Sequence, residues 1–297
     1  MSFGSRYLDP VLIERLSHLQ LSARSVVAGS TIGRHRSPVK GASVEFRQHR
    51  PYVVGDEPRR LDWRVLGRTD RPYIKEYDEE TNLRCLVLLD GSGSMGYGRK
   101  SGSKFDYAAS LAASLAYLML GQTESVGLAV FRKRIDAFVA PRGGRGQLSK
   151  IIDVLERSNP RGESSLAPAL HDAGNRLDRR ALVIAVSDFF TPIERFREGM
   201  AHLKHDRHEI IALRVLDRDE IEFPFRRWSR FRGLEGETAQ MCEPALARKT
   251  YLERFQRHRD ALEAQCRALH VEMHAFPTDV PLVDGLGRFL RGRVQAT

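Results

Sequence analysis

The sequence predicts an α/β protein built on a mixed, mostly parallel sheet that is flanked by helices. Two observations carry this prediction. From residue 83 onward, apolar strand-like runs alternate with helical patterns, which is typical of a parallel sheet covered on both faces. In addition, the runs at 126–131 and 135–140 are joined only by Arg132, Lys133 and Arg134. So short a link favours an antiparallel hairpin, which makes the sheet mixed.

The chain is expected to divide at residue 82. Residues 1–82 form an N-terminal extension with a helix at 10–19 and strand-like pieces such as 73–77. Residues 83–297 form the larger domain, and an excursion at about 217–243 carries a small hairpin. The predicted strands of the larger domain are 83–89, 126–131, 135–140, 181–186, 209–215 and 271–276. Its predicted helices are 105–120, 147–157, 166–177, 193–203, 251–269 and 282–290.

Net charge, cysteine content and absent motifs limit the classes of function that the sequence allows. The formal net charge is +10 over 297 residues, which suits nucleic acid or an acidic protein as a partner. Three scattered cysteines indicate a reducing compartment, and no apolar run reaches the ~18 residues of a membrane helix. We therefore expect a cytoplasmic protein without a membrane span. Neither a phosphate-binding G-x-x-x-x-G-K-S/T loop nor a G-x-S-x-G nucleophile motif is present, so we do not expect an enzyme.

The most informative segment follows the first strand of the larger domain. The apolar run 86–89 ends at Asp90, and Ser92 and Ser94 come next at alternate positions. In an extended loop, residues at i and i+2 face the same side, so one carboxylate and two hydroxyls converge. Oxygen donors of this kind suit a hard cation such as Mg²⁺, with Mn²⁺ as the alternative.

Two other loops are expected at the same edge, because open α/β sheets bind ligands at the carboxyl ends of their strands. Asp188 follows the predicted strand 181–186 and supplies a second carboxylate. The loop at 161–166 supplies a further hydroxyl. The sequence thus predicts a metal site assembled from three loops.

Other interpretations of the first loop are weaker. Residues 91–96 match G-x-G-x-x-G, but a polar stretch replaces the helix start and no acidic residue ends the next strand, as dinucleotide binding requires. An ordinary strand-to-helix turn would also use serine and glycine. The independent carboxylate at Asp188 favours the metal site.

These residues resemble a known family. Asp90, Ser92 and Ser94, a later glycine-serine loop and a strand-terminal aspartate are similar to the metal-ion-dependent adhesion site (MIDAS) of von Willebrand factor A domains. The segment upstream of this loop resembles a bacterial family, domain of unknown function fifty-eight. The pieces that carry this resemblance are Val44-Glu45-Phe46, Pro51-Tyr52-Val53-Val54-Gly55-Asp56, Arg60-Leu61-Asp62-Trp63-Arg64 and Ile74-Lys75-Glu76-Tyr77. Members of that family accompany MoxR-type AAA+ ATPases.

The resemblance implies a von Willebrand factor A-like fold and a site whose third hydroxyl is usually a threonine. Here Ser164 takes that place, and Ser165 beside it is the alternative ligand. Gly93, Met95 and Ser165 are then expected to contact the partner. The implied function is a Mg²⁺-dependent adaptor that binds an acidic side chain of a client protein and works with a MoxR-type ATPase. The alternative is nucleic-acid binding through the basic, aromatic segment 223–232.

Overall fold

The computed structural model describes residues 5–17, 19, 44–53, 61–79, 83–99, 102–122, 124–144, 146–236 and 238–295. The chain forms two compact units, one made of Met1–Gly33 with Leu83–Thr297 and the other of Arg34–Asn82. In chain order the elements are α1 (Pro10–Ser17), β1 (Val44–Pro51), α2 (Trp63–Thr69), β2 (Tyr73–Glu79), β3 (Arg84–Asp90), β4 (Gly98–Arg99), β5 (Gly102–Ser103), α3 (Lys104–Leu120), β6 (Ser125–Phe131), β7 (Ile135–Arg142), α4 (Gln147–Arg157), α5 (Leu166–Asn175), β8 (Leu182–Ser187), α6 (Ile193–His205), β9 (Glu209–Leu216), α7 (Arg218–Glu222), β10 (Ser229–Phe231), β11 (Gln240–Cys242), α8 (Pro244–Ala268), β12 (Glu272–Pro277) and α9 (Leu282–Gln295).

The smaller unit contains an antiparallel pair and one short helix. Strands β1 and β2 pair antiparallel, with an irregularity between Phe46 and Gln48. Helix α2 begins at a cap formed by Asp62, whose carboxylate accepts hydrogen bonds from the amides of Arg64 and Val65. Part of the family-like segment, residues 54–60, lies outside the described residues.

The larger unit is built on a six-stranded sheet in the order β12-β9-β8-β3-β6-β7. All neighbours pair parallel except β6 and β7, which form the antiparallel hairpin that the short basic link predicted. Helices cover both faces of the sheet. The predicted α/β class with a mixed, mostly parallel sheet is therefore confirmed.

The two faces of the sheet bury two separate apolar clusters. Alternate residues of β3 point to opposite sides, so Val87 and Leu89 join one cluster while Leu86 and Leu88 join the other. Helix α3 lies within the first cluster and is buried almost all round, as its apolar composition predicted. Helix α1, which the sequence analysis assigned to the N-terminal extension, packs against this same cluster.

Strand order reverses next to β3. The chain passes from β3 to β6 on one side and later returns to β8 on the other side. A crevice at the carboxyl ends of β3 and β8 is the usual ligand position in such sheets. Asp90 is the last residue of β3 and Asp188 comes directly after β8, so the topology brings the two predicted carboxylates to one place.

Some elements of the larger unit differ from the predicted ones. Helix α8 begins at Pro244, earlier than the predicted residue 251, because proline suits the first turn of a helix and the apolar spacing starts only at Tyr251. The short helix α7 within the excursion was not predicted. Within the described residues, none of the helices combines the length and the apolar character needed to cross a bilayer.

Candidate metal centre

Three loops meet at the carboxyl end of β3. The amide of Gly93 donates to the carbonyl of Gly162 at 2.7 Å, and the amide of Arg161 donates to the carbonyl of Gly91 at 3.0 Å. These two bonds hold the loop after β3 against the loop before α5. The end of β8 and the loop after it adjoin them through Ser187, the last residue of the strand, whose hydroxyl donates to Asp90.

Asp90 lies at the centre of this arrangement and is only 2% exposed. Its Oδ1 accepts from the amide of Ser92 at 2.9 Å, and its Oδ2 accepts from the hydroxyl of Ser187 at 2.7 Å. Burial and the nearby charge of Asp188 raise the pKa of Asp90 to about 6, against the opposing effect of these hydrogen bonds. Among the described side chains, no basic group forms an ion pair with Asp90.

The hydroxyls of Ser92 and Ser94 lie side by side, with 3.1 Å between their Oγ atoms. Two ligands at ~2.1 Å on adjacent corners of a Mg²⁺ octahedron are ~3 Å apart, so this spacing suits two direct ligands of one ion. Ser92 is fully buried and Ser94 is half-buried. A buried carboxylate without a basic partner and two adjacent hydroxyls form a donor set that fits a hard divalent cation.

The geometry distinguishes the two serines of the α5 loop. The hydroxyl of Ser164 points to Oδ2 of Asp90, although at a long 3.4 Å. Ser165 instead is the N-cap residue that precedes helix α5, and its amide donates to the carbonyl of Arg132 at 3.0 Å. Ser164 is therefore the serine that faces the candidate metal centre.

Asp188 lies in the same crevice, but its charge has a partner that the sequence analysis missed. Lys104 is fully buried, and its Nζ contacts Oδ2 of Asp188 at 2.7 Å and Oε1 of Glu220 at 2.6 Å. Burial lowers the pKa of Lys104, but the two carboxylates outweigh this effect and the net direction is upward. The other oxygen of Asp188 accepts from the amide of Phe190 at 3.0 Å. Asp188 is thus held by the protein, which suits an outer position toward a cation.

An arginine completes the support of this loop. The Nε of Arg214 donates to the carbonyl of Asp188 at 3.0 Å. The guanidinium lies 5.6 Å from the ring centroid of Phe190 and 5.4 Å from that of Phe255. Rigid support of this kind holds the Asp188 loop in one conformation beside β3.

A further carboxylate comes from the excursion. Glu235 lies between β10 and β11, and its Oε1 accepts from the amide of Ser94 at 3.3 Å. Its Oε2 accepts from the amide of Ser164 at 3.2 Å. Glu235 was not predicted from the sequence, because nothing in the local pattern distinguishes it from the other acidic residues of the excursion at about 217–243.

Two of the three residues expected to contact a partner are buried. Met95 has no exposed surface and packs in the apolar cluster around α3, which corrects the prediction that it contacts a partner. Its turn, Gly93–Gly96, directs the side chain inward. Gly93 is also buried, and a Cβ on it would overlap the carbonyl oxygen of Leu234. Ser165 is half-buried.

The candidate centre depends on hydroxyls as much as on carboxylates. Nowhere in the described part of the chain do three histidine, cysteine, aspartate or glutamate side chains group as metal ligands. The oxygen donors that the described residues bring together here are therefore the hydroxyls of Ser92, Ser94 and Ser164 beside the single carboxylate of Asp90.

Three solved structures that are similar to this chain each share 12% sequence identity with it. An aerotolerance-related membrane protein from Bacteroides fragilis covers 72% of this chain and 100% of its own, with a TM-score of 0.47. The conserved hypothetical protein BatB from Bacteroides thetaiotaomicron covers 72% and 99%, with a TM-score of 0.46. The VWA domain of SpRpn10 covers 69% and 94%, with a TM-score of 0.42.

Comparison of sequences is more specific. The uncharacterized proteins Mb1516 of Mycobacterium bovis and Rv1480 of Mycobacterium tuberculosis are each 28% identical over 219 residues, which is 73% of this chain and 68% of theirs. The profile of the family described as protein of unknown function DUF58 matches residues 48–261. That range includes Asp90, Ser164 and Asp188. The chain therefore belongs to the DUF58 family, as the resemblance predicted.

Proposed function

We propose that this protein is a Mg²⁺-dependent protein-binding adaptor. The observation that carries the proposal is the buried carboxylate of Asp90, which has no basic partner among the described side chains and lies beside two hydroxyls 3.1 Å apart. Mn²⁺ is the alternative ion, because it accepts the same oxygen donors.

Each residue has a distinct part in this proposal. Ser92, Ser94 and Ser164 would bind the ion directly, whereas Asp90 and Asp188 would hold it mainly through water. The bound ion would supply an electrophilic centre for an acidic oxygen from another protein. Because these direct protein ligands are neutral, most of the ion's positive charge would remain to attract a Glu or Asp side chain of a partner.

Binding rather than catalysis is the better interpretation of the hydroxyls. The described hydrogen bonds of Ser92 and Ser94 reach each other, Asp90 and Glu235, and none of them reaches a histidine. Histidine is the usual base that activates a nucleophilic serine, and the described contacts of these two serines include none. The arrangement supports the proposal that the protein is not an enzyme.

The partners follow from family resemblance rather than from any contact in this chain. We propose a MoxR-type AAA+ ATPase as the machine and an acidic segment of a client complex as the bound element. The proposed location is the cytoplasm, where such a machine and its clients assemble. The role is then chaperone-like, in assembly or maturation of the client.

Calorimetric titration with Mg²⁺ tests the metal site. We expect Asp90→Asn and Ser92→Ala to lose binding, while Asp153→Asn, which removes an exposed charge from α4, binds as wild type does. Capture of partners from native extract should fail in EDTA and return with Mg²⁺. Unchanged titration of folded Asp90→Asn protein would contradict the site.

Nucleic-acid binding through residues 223–232 is the competing proposal. Phe223, Phe225 and Phe231 pack on one another with centroids 5.2–5.7 Å apart, so these rings are engaged within the protein. Trp228 is 67% exposed, and the four arginines of the segment are exposed. This proposal predicts oligonucleotide affinity that falls steeply with salt and persists in EDTA. Binding that requires Mg²⁺ and tolerates salt favours the adaptor.

A further inference from the structure

The candidate metal centre is covered by the protein itself. The β10–β11 hairpin (described at residues 229–236 and 238–242) brings Glu235 across the two loops that carry the proposed hydroxyl ligands. One carboxylate oxygen accepts from the amide of Ser94 at 3.3 Å, and the other accepts from the amide of Ser164 at 3.2 Å. Glu235 therefore bridges two of the proposed ligand residues through their backbone.

The backbone of the hairpin also fits closely over the loop after β3. The carbonyl oxygen of Leu234 lies where a Cβ on Gly93 would have to be, so only glycine permits this approach. The amide of Gly93 also donates a hydrogen bond to the carbonyl oxygen of Gly162. The tip of the hairpin and the two ligand loops are thus packed backbone to backbone, and the position of Glu235 is set by more than one contact.

The hairpin is anchored at its base and exposed at its tip. Phe231 stacks on Phe223 with 5.7 Å between centroids, and Phe223 contacts Tyr251 of α8 at 4.6 Å. Strands β10 and β11 share only three residue pairs, and Leu234 is 46% exposed. So small an element with little buried apolar surface can open locally without unfolding the domain.

A carboxylate at this position has the chemistry that the proposed function assigns to the partner. It is an acidic oxygen donor that lies beside Ser94 and Ser164 and comes from a separate, weakly paired element. We propose that Glu235 is an internal ligand that takes the partner's place on the metal, so that an acidic partner binds only by displacing the hairpin. This inference rests on the proposed function and adds its regulation.

Mn²⁺ titration followed by water-proton relaxation tests the inference, because relaxivity reports the number of waters on the bound ion. The variants are Glu235→Ala, Gly93→Ala, which pushes the hairpin away without changing a charge, and Asp90→Asn. Glu243→Ala is the matched control, since it removes an exposed acidic side chain from the same excursion.

If Glu235 is an internal ligand, Glu235→Ala and Gly93→Ala gain about one metal-bound water relative to wild type and the control. We expect Glu235→Ala to bind Mn²⁺ at least tenfold more weakly, the lower end of what loss of even an outer partner costs. Wild-type relaxivity and affinity in both variants, with binding abolished in Asp90→Asn, would overturn the internal ligand and leave the metal site standing. Unchanged binding in Asp90→Asn would overturn both.

Discussion

Replacing Asp90 by asparagine should stabilise the metal-free protein, although it destroys the proposed site. The side chain keeps its shape, and its Oδ1 still accepts from the amide of Ser92. What changes is the charge, which is buried at 2% exposure without a basic partner among the described side chains. A buried carboxylate that serves to bind a cation therefore destabilises the folded protein when no cation is bound.

The size of this effect follows from the pKa. The carboxyl group has a pKa of about 6 in the folded protein and ~3.9 when unfolded. Because the folded pKa is the higher one, stability falls as pH rises from 4 to 6, and above pH 7 the full cost of about 3 kcal/mol is present. Asparagine removes it but leaves the hydroxyl of Ser187 without a charged acceptor, at about 1 kcal/mol. The net gain is about 2 kcal/mol.

Thermal and urea unfolding in EDTA at pH 7.5 measure this difference. We expect Asp90→Asn to melt roughly 4–8 °C above wild type, and the two to converge at pH 4. Mg²⁺ at 100 times its Kd stabilises wild type by about 2.7 kcal/mol and reverses the order. Asp153→Asn should match wild type throughout. An Asp90→Asn protein that is less stable in EDTA would refute the reasoning, since the fold itself would then satisfy the charge.

Three further predictions concern the same centre. Mn²⁺ affinity should be constant above pH 7 and fall about tenfold per pH unit below pH 6, because protons compete for Asp90 as its pKa of about 6 is passed; titration at several pH values checks this. Lys104→Met should destabilise the protein by about 3–5 kcal/mol in urea unfolding, because it leaves the buried carboxylate of Asp188 and the half-buried carboxylate of Glu220 without their shared partner. Ser164→Ala should weaken Mn²⁺ binding measurably, whereas Ser165→Ala should leave it unchanged in calorimetry, because only Ser164 faces Asp90.

Each of these has a contrary result. A flat pH profile between 5 and 7 would mean that Asp90 is not the group that competes with protons for the ion. Lys104→Met with wild-type stability would show that Asp188 and Glu220 find other partners. Equal loss of affinity in Ser164→Ala and Ser165→Ala would contradict the assignment of Ser164 as the third hydroxyl ligand, since the sequence alone does not decide between the two serines.

The parts that sequence could predict are local. Asp90 ends an apolar strand, Ser92 and Ser94 follow at alternate positions, and Asp188 follows another strand end. Those spacings alone indicate one sheet edge, because parallel strands place their carboxyl ends together. The structure brings these residues into one crevice with Ser164, as the pattern predicted.

The parts that sequence could not predict depend on contacts between distant segments. In the sequence, Lys104 is an ordinary charged residue at the start of a helix. Its partners Asp188 and Glu220 are 84 and 116 positions away. Glu235 reaches Ser94 from 141 positions away, and hairpin register rather than composition selects it. Met95 reads as an exposed apolar residue in a polar loop, but a tight turn directs it into the core. Burial and pairing across such distances have no local signal.

A crystal structure of the protein with Mn²⁺, phased at the manganese absorption edge, tests the central claim most directly. We predict one anomalous peak at the carboxyl end of β3, within ligand distance of the hydroxyls of Ser92 and Ser94. A protein crystallised with saturating Mn²⁺ that shows no peak there, and keeps the Ser92–Ser94 hydroxyl contact, would contradict it.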